Sequence, residues 1–433
     1  MIFTFGTQKC LTPKHSTYTM WKPIRKFLND IHLYAGLISG LIVIAVCLSG
    51  TIYVYNTEIR EFFDSERFFV EESGERISLD DLKTKVETDL AGEVVGVNFY
   101  EGSDRSVQFS VKQEGQERPA TFYVDPYTGA VLADNKEKTS SEEIMGYMFS
   151  LHRWLLLDKI EDPILESMGN RDLGRFINGV ATLLFLLGVI TGIVIWFPQK
   201  VKNWKHGLKV KWSGNWKRVN HDLHNTLAFY SLIALFLMAV TGPFWSYEWY
   251  RTGWQKTWDI YQAPKPEGAP NSQGGQRAEN SPADTSEELV LVSPVISLDK
   301  VLLASDQNLD YAGNTRISLP GKPGGDISIS KSRTGFFAKA GSDQLTLDAG
   351  TLEVKEAKLF SDLPVRQQIG RSVKALHTGE IFGPFTKFLW FLGCLIATSL
   401  PITGTLIWLN KKKKSKPNRK VGQAHRAPEV QTA

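Results

Sequence analysis

Four stretches without a single charged residue, 33–55, 176–197, 227–247 and 388–409, constrain this chain of 433 residues more than any other feature. Each reaches the roughly 20 apolar residues that a helix needs to cross a hydrocarbon core. Backbone amides inside such a core find partners only within a helix or a closed barrel. The pattern therefore predicts four transmembrane helices. With the histidines at their edges included, the expected boundaries are 32–55, 176–197, 224–247 and 377–409. Two long polar regions, 56–150 and 248–376, and a connection over 151–175 lie outside the spans.

The distribution of Lys and Arg orients the spans. Lys22, Arg25 and Lys26 lie in the tail 1–31, Lys200 to Arg218 in the loop 198–223, and Lys411 to Lys420 in the tail 410–433. The positive-inside rule makes these segments cytoplasmic, so both termini face the cytoplasm and both polar regions face outward. The formal net charge of +4 comes from these flanks and calls for no nucleic-acid partner. No cleavable signal is expected, because the first span is long and lacks a small-residue cleavage site. The residues before Met20 read as a dispensable tail. Cys10, Cys47 and Cys394 fall in the tail and in two spans, so the outer regions have no disulfide framework, and there is no Cys-x-x-Cys-His for covalent haem attachment.

Within the first outer region a helical stretch near Leu79 to Leu90 precedes the alternating patterns Val107 to Val111 and Thr121 to Asp125, as in a small α+β module. Local sequence then recurs. Ile77-Ser78-Leu79-Asp80 is echoed by Ile296-Ser297-Leu298-Asp299, and Asp125-Pro126-Tyr127-Thr128-Gly129 by Asp348-Ala349-Gly350. Thr191-Gly192 and Thr403-Gly404 each precede a Trp at a span end. Asp222-Leu223-His224 follows Asp30-Ile31-His32 by 192 residues, and Gly242 follows Gly50 by the same 192. The chain reads as an internal duplication with a boundary near residue 205. Residues 263–288, rich in Pro, Gly, Ser and Asn, read as a flexible linker ahead of the second module.

The recurring histidines carry the chemistry. His32 and His224 sit at the cytoplasmic ends of spans, His152 and His377 outside, before the second and fourth. A core of ~30 Å separates the two sets, so ligands for one metal must come from the same face. His32 therefore pairs with His224, and His152 with His377. Two imidazoles saturate a haem iron and suit electron transfer rather than oxygen chemistry. His221, one turn from His224, stays open as the alternative ligand. Arg153, Arg371 and Lys374 lie beside the outer pair, where haem propionates or an anionic ferric chelate would attract them; ordinary surface charge explains them nearly as well. Asp30 and Asp222 read as helix caps. His15, His206 and His425 have no repeat partner and read as solvated.

Taken in order, several motifs resemble the bacterial PepSY-associated transmembrane proteins, an iron-regulated group that includes inner-membrane ferric-siderophore reductases. The residues concerned are His32-Leu33-Tyr34-Ala35-Gly36, Tyr123 to Gly129, Leu151-His152-Arg153, Asp222-Leu223-His224, Leu376 to Gly383 and the Thr-Gly-x-x-x-Trp helix ends. The resemblance runs from about Trp21 to Lys414. Ala228 departs from it where the family has Gly, and the connection Leu155 to Arg175 is longer than usual. What the resemblance implies is an α-helical membrane bundle carrying two extracytoplasmic α+β PepSY-like modules and two non-covalent b-type haems, in the inner membrane. It implies further that electrons pass to a periplasmic ferric complex, a ferric siderophore in the first instance.

No Gly-rich dinucleotide fingerprint, phosphate-binding loop or His-Glu-x-x-His motif occurs, so electrons would come from a cytoplasmic reductase or a quinol. Two alternatives stay open: a haem-free, membrane-anchored PepSY module that binds proteins or modulates a peptidase, and a dihaem carrier whose substrate is a quinone or a copper complex.

Overall fold

The computed structural model describes residues 18–197, 201–263, 296–322 and 324–414. The expected linker lies almost wholly outside the described residues, as do His15 and His425. The first segment forms α1 (Tyr18–Tyr53), α2 (Asn56–Phe63), α3 (Ser65–Phe68) and α4 (Leu79–Leu90). Strands β1 (Gly92–Phe99), β2 (Val107–Gln113), β3 (Ala120–Val124) and β4 (Val131–Asp134) follow, then α5 (Ser140–Trp154) and α6 (Asn170–Trp196). The chain continues through α7 (Trp216–Tyr230), α8 (Leu232–Thr241), α9 (Pro243–Ser246) and α10 (Glu248–Thr257). A second helix and four strands come next: α11 (Leu298–Asn308), β5 (Gly313–Ser318), β6 (Asp326–Arg333), β7 (Ser342–Asp348) and β8 (Val354–Lys358). Helices α12 (Val365–Arg371), α13 (Val373–Thr378) and α14 (Gly383–Lys414) complete the described chain.

Among the described residues three helices, α1, α6 and α14, are long and apolar enough to cross a membrane. The third predicted span is not one straight helix. Trp216–Tyr230 and Leu232–Ser246 meet at 67°, and they make a fourth crossing if the bent pair is one span. The break falls at Ser231, whose hydroxyl donates back to the Leu227 carbonyl at 2.7 Å, the kind of side-chain insertion that bends a helix. Helices α1, α6, α8 and α14 pack together around Val189, Leu235 and Ala397. Their outward faces are covered with exposed Leu, Ile and Phe, for example Leu41, Ile190 and Leu395, as expected where lipid is the solvent.

The outer regions are not two separate modules. Their strands form a single antiparallel sheet of eight, in the order β4-β3-β2-β1-β5-β6-β7-β8. The join is β1 against β5, with Val97 opposite Ile317 and Asn98 opposite Arg316. Pairing the two would-be edges leaves no open strand at the centre to attract other chains. Both helices cover one face, and Leu82, Val86, Phe109, Leu298, Val301, Ile317, Ile329 and Leu345 form one continuous core. The repeated Ile-Ser-Leu-Asp motif acts across the join. The Asp299 carboxylate accepts from the Leu79 and Asp80 amides, both at 3.0 Å. Asp80 in turn accepts from the Leu298 amide and the Ser297 hydroxyl. Each helix N-terminus is thus capped by the other helix.

Candidate functional site

Each of the four repeated histidines rests on a Ser/Thr-Gly pair of a membrane helix. A glycine exposes the carbonyl four residues earlier, which lies one turn below it on the same helix face. His152 Nδ1 lies 2.8 Å from the Val46 carbonyl, and its Cε1 would be 2.9 Å from a Cβ on Gly50. His32 Nδ1 lies 2.9 Å from the Gly188 carbonyl and 3.2 Å from Thr191 Oγ1, with Cε1 3.3 Å from the Cβ position of Gly192. His224 Nδ1 lies 2.8 Å from Thr403 Oγ1 and interacts with the Leu400 carbonyl, beneath Gly404. His377 Nδ1 lies 2.9 Å from Thr241 Oγ1 and interacts with the Met238 carbonyl, beneath Gly242.

This geometry fixes the tautomer. A carbonyl can only accept. The hydroxyls of Thr191, Thr241 and Thr403 each donate to the carbonyl one turn earlier in their own helices, which leaves them as acceptors for the ring. Nδ1 therefore carries the proton and Nε2 keeps its lone pair, the form in which imidazole binds a metal. Backbone and hydroxyl acceptors on the second ring nitrogen are the usual way such a ligand is oriented.

The rings meet in two pairs. His32 and His224 have ring centres 6.3 Å apart with planes at 85°. His152 and His377 are 6.1 Å apart at 65°. Two imidazoles on opposite sides of one metal, with bonds of ~2.0–2.1 Å and each ring centre ~1.1 Å behind its nitrogen, place the centres about 6.2–6.4 Å apart. Both pairs fit that spacing. Among the described residues no group of three or more His, Cys, Asp or Glu converges, so each place brings together two imidazoles. Along α1 the inner pair at His32 and the outer seat at Gly50 are separated by about 27 Å at 1.5 Å per residue.

The outer pair is carried by helices that lie outside the spans. A capping box starts α5: Thr139 accepts from the Glu142 amide while Glu142 reaches back to Thr139. Two consecutive left-handed residues, Leu155 and Leu156 with φ of 56° and 61°, end it three residues after His152. Asn178 of α6 donates to the His152 carbonyl at 2.7 Å. The turn from α13 to α14 is equally built. Gly379, at φ 83°, leaves room for Trp390, whose Nε1 donates to the Leu376 carbonyl, and Thr386 bonds the Gly379 carbonyl. Lys387, buried, donates to Glu58 at 2.7 Å and pairs with Glu380 at 3.2 Å, tying this turn to α2. Burial holds the imidazoles of His152 and His377 below their ordinary range, and with His152 beside it His377 falls to about 3.

The remaining candidates are placed as follows. His221 is half exposed and turns toward Asp222 and Asn225; His224 is the residue opposite His32. Arg153 lies over the rings of Phe149 and Trp154. Arg371 and Lys374 are exposed at the end of α12 and in α13. Asp30 and Asp222 do not cap helix starts, because α1 begins at Tyr18 and α7 at Trp216. Asp222 is buried instead, accepting from Arg218 Nε at 2.8 Å and the Lys211 amide at 3.3 Å. For the same reason His32 and His224 lie within helices rather than at their starts. The seats themselves, Val46, Gly188, Thr191, Thr241 and Thr403, were not singled out as His partners; the recurrence of Ser/Thr-Gly in all four spans is the signal that marks them.

The sequence matches the family model of the PepSY-associated TM region over residues 30–411. The chain belongs to the PepSY-associated transmembrane family. No curated protein matches it. In this family member each of the four repeated histidines is seated against a helix glycine, and each ring pair joins the part of the chain before residue 205 to the part after it.

Proposed function

We propose that this PepSY-associated transmembrane protein is a b-type dihaem oxidoreductase of the bacterial inner membrane that passes electrons outward to a periplasmic ferric complex, a ferric siderophore in the first instance. The observation that carries this reading is the double occurrence of two Nδ1-anchored imidazoles at the spacing of a bis-histidine iron. When bound, haem would supply a one-electron iron couple with no open coordination position. His32 and His224 would hold the inner group, His152 and His377 the outer one. Seats built from glycine, carbonyl and hydroxyl keep the four rings fixed and neutral, and lipid-facing helices exclude water. Arg153, Arg371 and Lys374 lie at the outer face, where an anionic ligand would meet them. A chain of two related halves accounts for pairs that each take one histidine from either half. The Lys and Arg residues at the ends of the apolar stretches of α1, of α7 with α8, and of α14 support a cytoplasmic inner face, with a cytoplasmic reductase or a quinol as electron donor. The choice of a ferric substrate rests on the family; reduction weakens a hard-oxygen chelate because Fe(II) is the softer, less charged acid.

The test is a reduced-minus-oxidised optical spectrum of the detergent-solubilised protein, with haem and protein quantified together. About two low-spin b haems per chain are expected. Their absence even after reconstitution would place the haem-free, partner-binding module first. Failure of reduced protein to be reoxidised by any ferric siderophore would leave the haems and remove the substrate, with a quinone or copper complex next in line.

A further inference from the structure

The loop joining β6 to β7 carries at its middle two phenylalanines that the sheet does not use. Phe336 and Phe337 are 59% and 65% exposed. The hairpin is clamped onto the outer end of α14. Ala340 donates its amide to the Ile381 carbonyl at 2.8 Å, Lys339 bridges to Phe382, and the rings of Phe336 and Phe337 lie 6.1 and 5.3 Å from that of Phe385. Gly383, at φ 61°, lets the two backbones close, since a Cβ there would stand 2.9 Å from the Gly335 carbonyl.

Phe385 begins the exposed apolar stripe of this helix, which continues through Phe388, Leu389, Leu392 and Leu395 at helical spacing. On a helix long and apolar enough to span, that stripe is the lipid-facing side. The two phenylalanines prolong it beyond the end of the span. The scaffold does not require them: the matching loop between β2 and β3 is Glu114-Gly115-Gln116-Glu117-Arg118-Pro119, with no apolar side chain but proline. Aromatic rings at the end of a membrane helix partition into the headgroup and acyl boundary.

We propose that the β6–β7 hairpin tip inserts Phe336 and Phe337 into the outer-leaflet boundary of the bilayer, so that lipid is the partner of this surface. The hairpin then moors the shared sheet to the membrane at the turn that presents His377. This holds whether or not haem is bound, so it stands or falls apart from the redox reading.

The experiment places a polarity-sensitive fluorophore on Phe337→Cys, and separately on Phe336→Cys, in the full chain with Cys10, Cys47 and Cys394 replaced. Glu117→Cys serves as the control. The proteins are studied in nanodiscs of phosphatidylethanolamine and phosphatidylglycerol, with and without lipids spin-labelled near the headgroup. At 336 and 337 we expect blue-shifted emission, quenching by the spin-labelled lipid severalfold stronger than at 117, and protection from aqueous iodide. Iodide quenching equal to that at 117 would overturn the proposal in favour of a solvated loop. Protection from both iodide and lipid quencher would overturn it in favour of a protein contact.

Discussion

Glycine is the residue on which the His152 seat depends most. A Cβ at Gly50 would come within 2.9 Å of both Cε1 and Nδ1 of His152, whereas at Gly242 it would meet His377 only at 3.8 Å. We therefore expect Gly50→Ala to push the outer ring off the Val46 carbonyl, at an overpacking cost of ~1–3 kcal/mol, and, on the dihaem proposal, to lower the occupancy of the outer haem while sparing the inner one. Haem content and the optical spectrum of the variant check this. On the dihaem proposal, His32→Ala or His224→Ala removes one haem and His152→Ala or His377→Ala the other; retention of both in all four variants contradicts the pairing. A separate residue-level expectation concerns the sheet. Lys355 beside Asp348 and the Thr351 and Gly350 amides hold that carboxyl at about 2. The folded value is depressed, so its contribution is full above the unfolded carboxylate range and is lost as pH falls through about 2. In Lys355→Met the Asp348 titration, followed by carboxyl carbon resonances, moves up toward the ordinary range.

At the level of elements, the crossed caps explain why an Ile-Ser-Leu-Asp motif recurs. Each aspartate satisfies amides at the start of the other helix, so the pair couples α4 to α11 rather than stabilising either alone. Asp80→Ala or Asp299→Ala leaves orphan donors and costs ~1–2 kcal/mol. Hydrogen exchange of the intact protein should then quicken at residues 79–82 and 298–301 together, in either variant. Faster exchange at only one of the two helices would show that the caps are not coupled. The break at Ser231 belongs to the same scale. It redirects α8 so that Thr241 reaches His377, while α7 carries His224 to Thr403.

In the molecule as a whole, two devices join the earlier and later parts of the chain. One is the sheet, paired through β1 and β5; the other is the two ring pairs. Because β1 and β5 share one core, their amides should open as one unit, and exchange at Val97 and Ile317 should follow the same free energy in increasing denaturant. Independent opening would mean two separable modules.

Much of this was legible in the sequence, where periodicity or repetition was strong. Three spans were marked by their lack of charge, with a fourth if the bent pair Trp216–Tyr230 and Leu232–Ser246 is one span, helix Leu79–Leu90 by its apolar spacing, and the four histidines by their place in repeated motifs. Lipid solvation and helical period act locally, so composition alone conveys them. The sequence also limited the pairing to His32 with His224 and His152 with His377, since a hydrocarbon core keeps the faces apart. It left His221 open against His224, because residues one turn apart differ only in what faces them across the bundle. It cast Asp222 as a cap, though Arg218 and the Lys211 amide draw it into the interior. It read two modules where there is one sheet, because strand alternation is the same whether an edge meets solvent or another strand. The outcomes at His224 and in the sheet rest on contacts between residues 192 and 220 positions apart, and only the tertiary structure decides which of many equivalent donors, edges and faces come together.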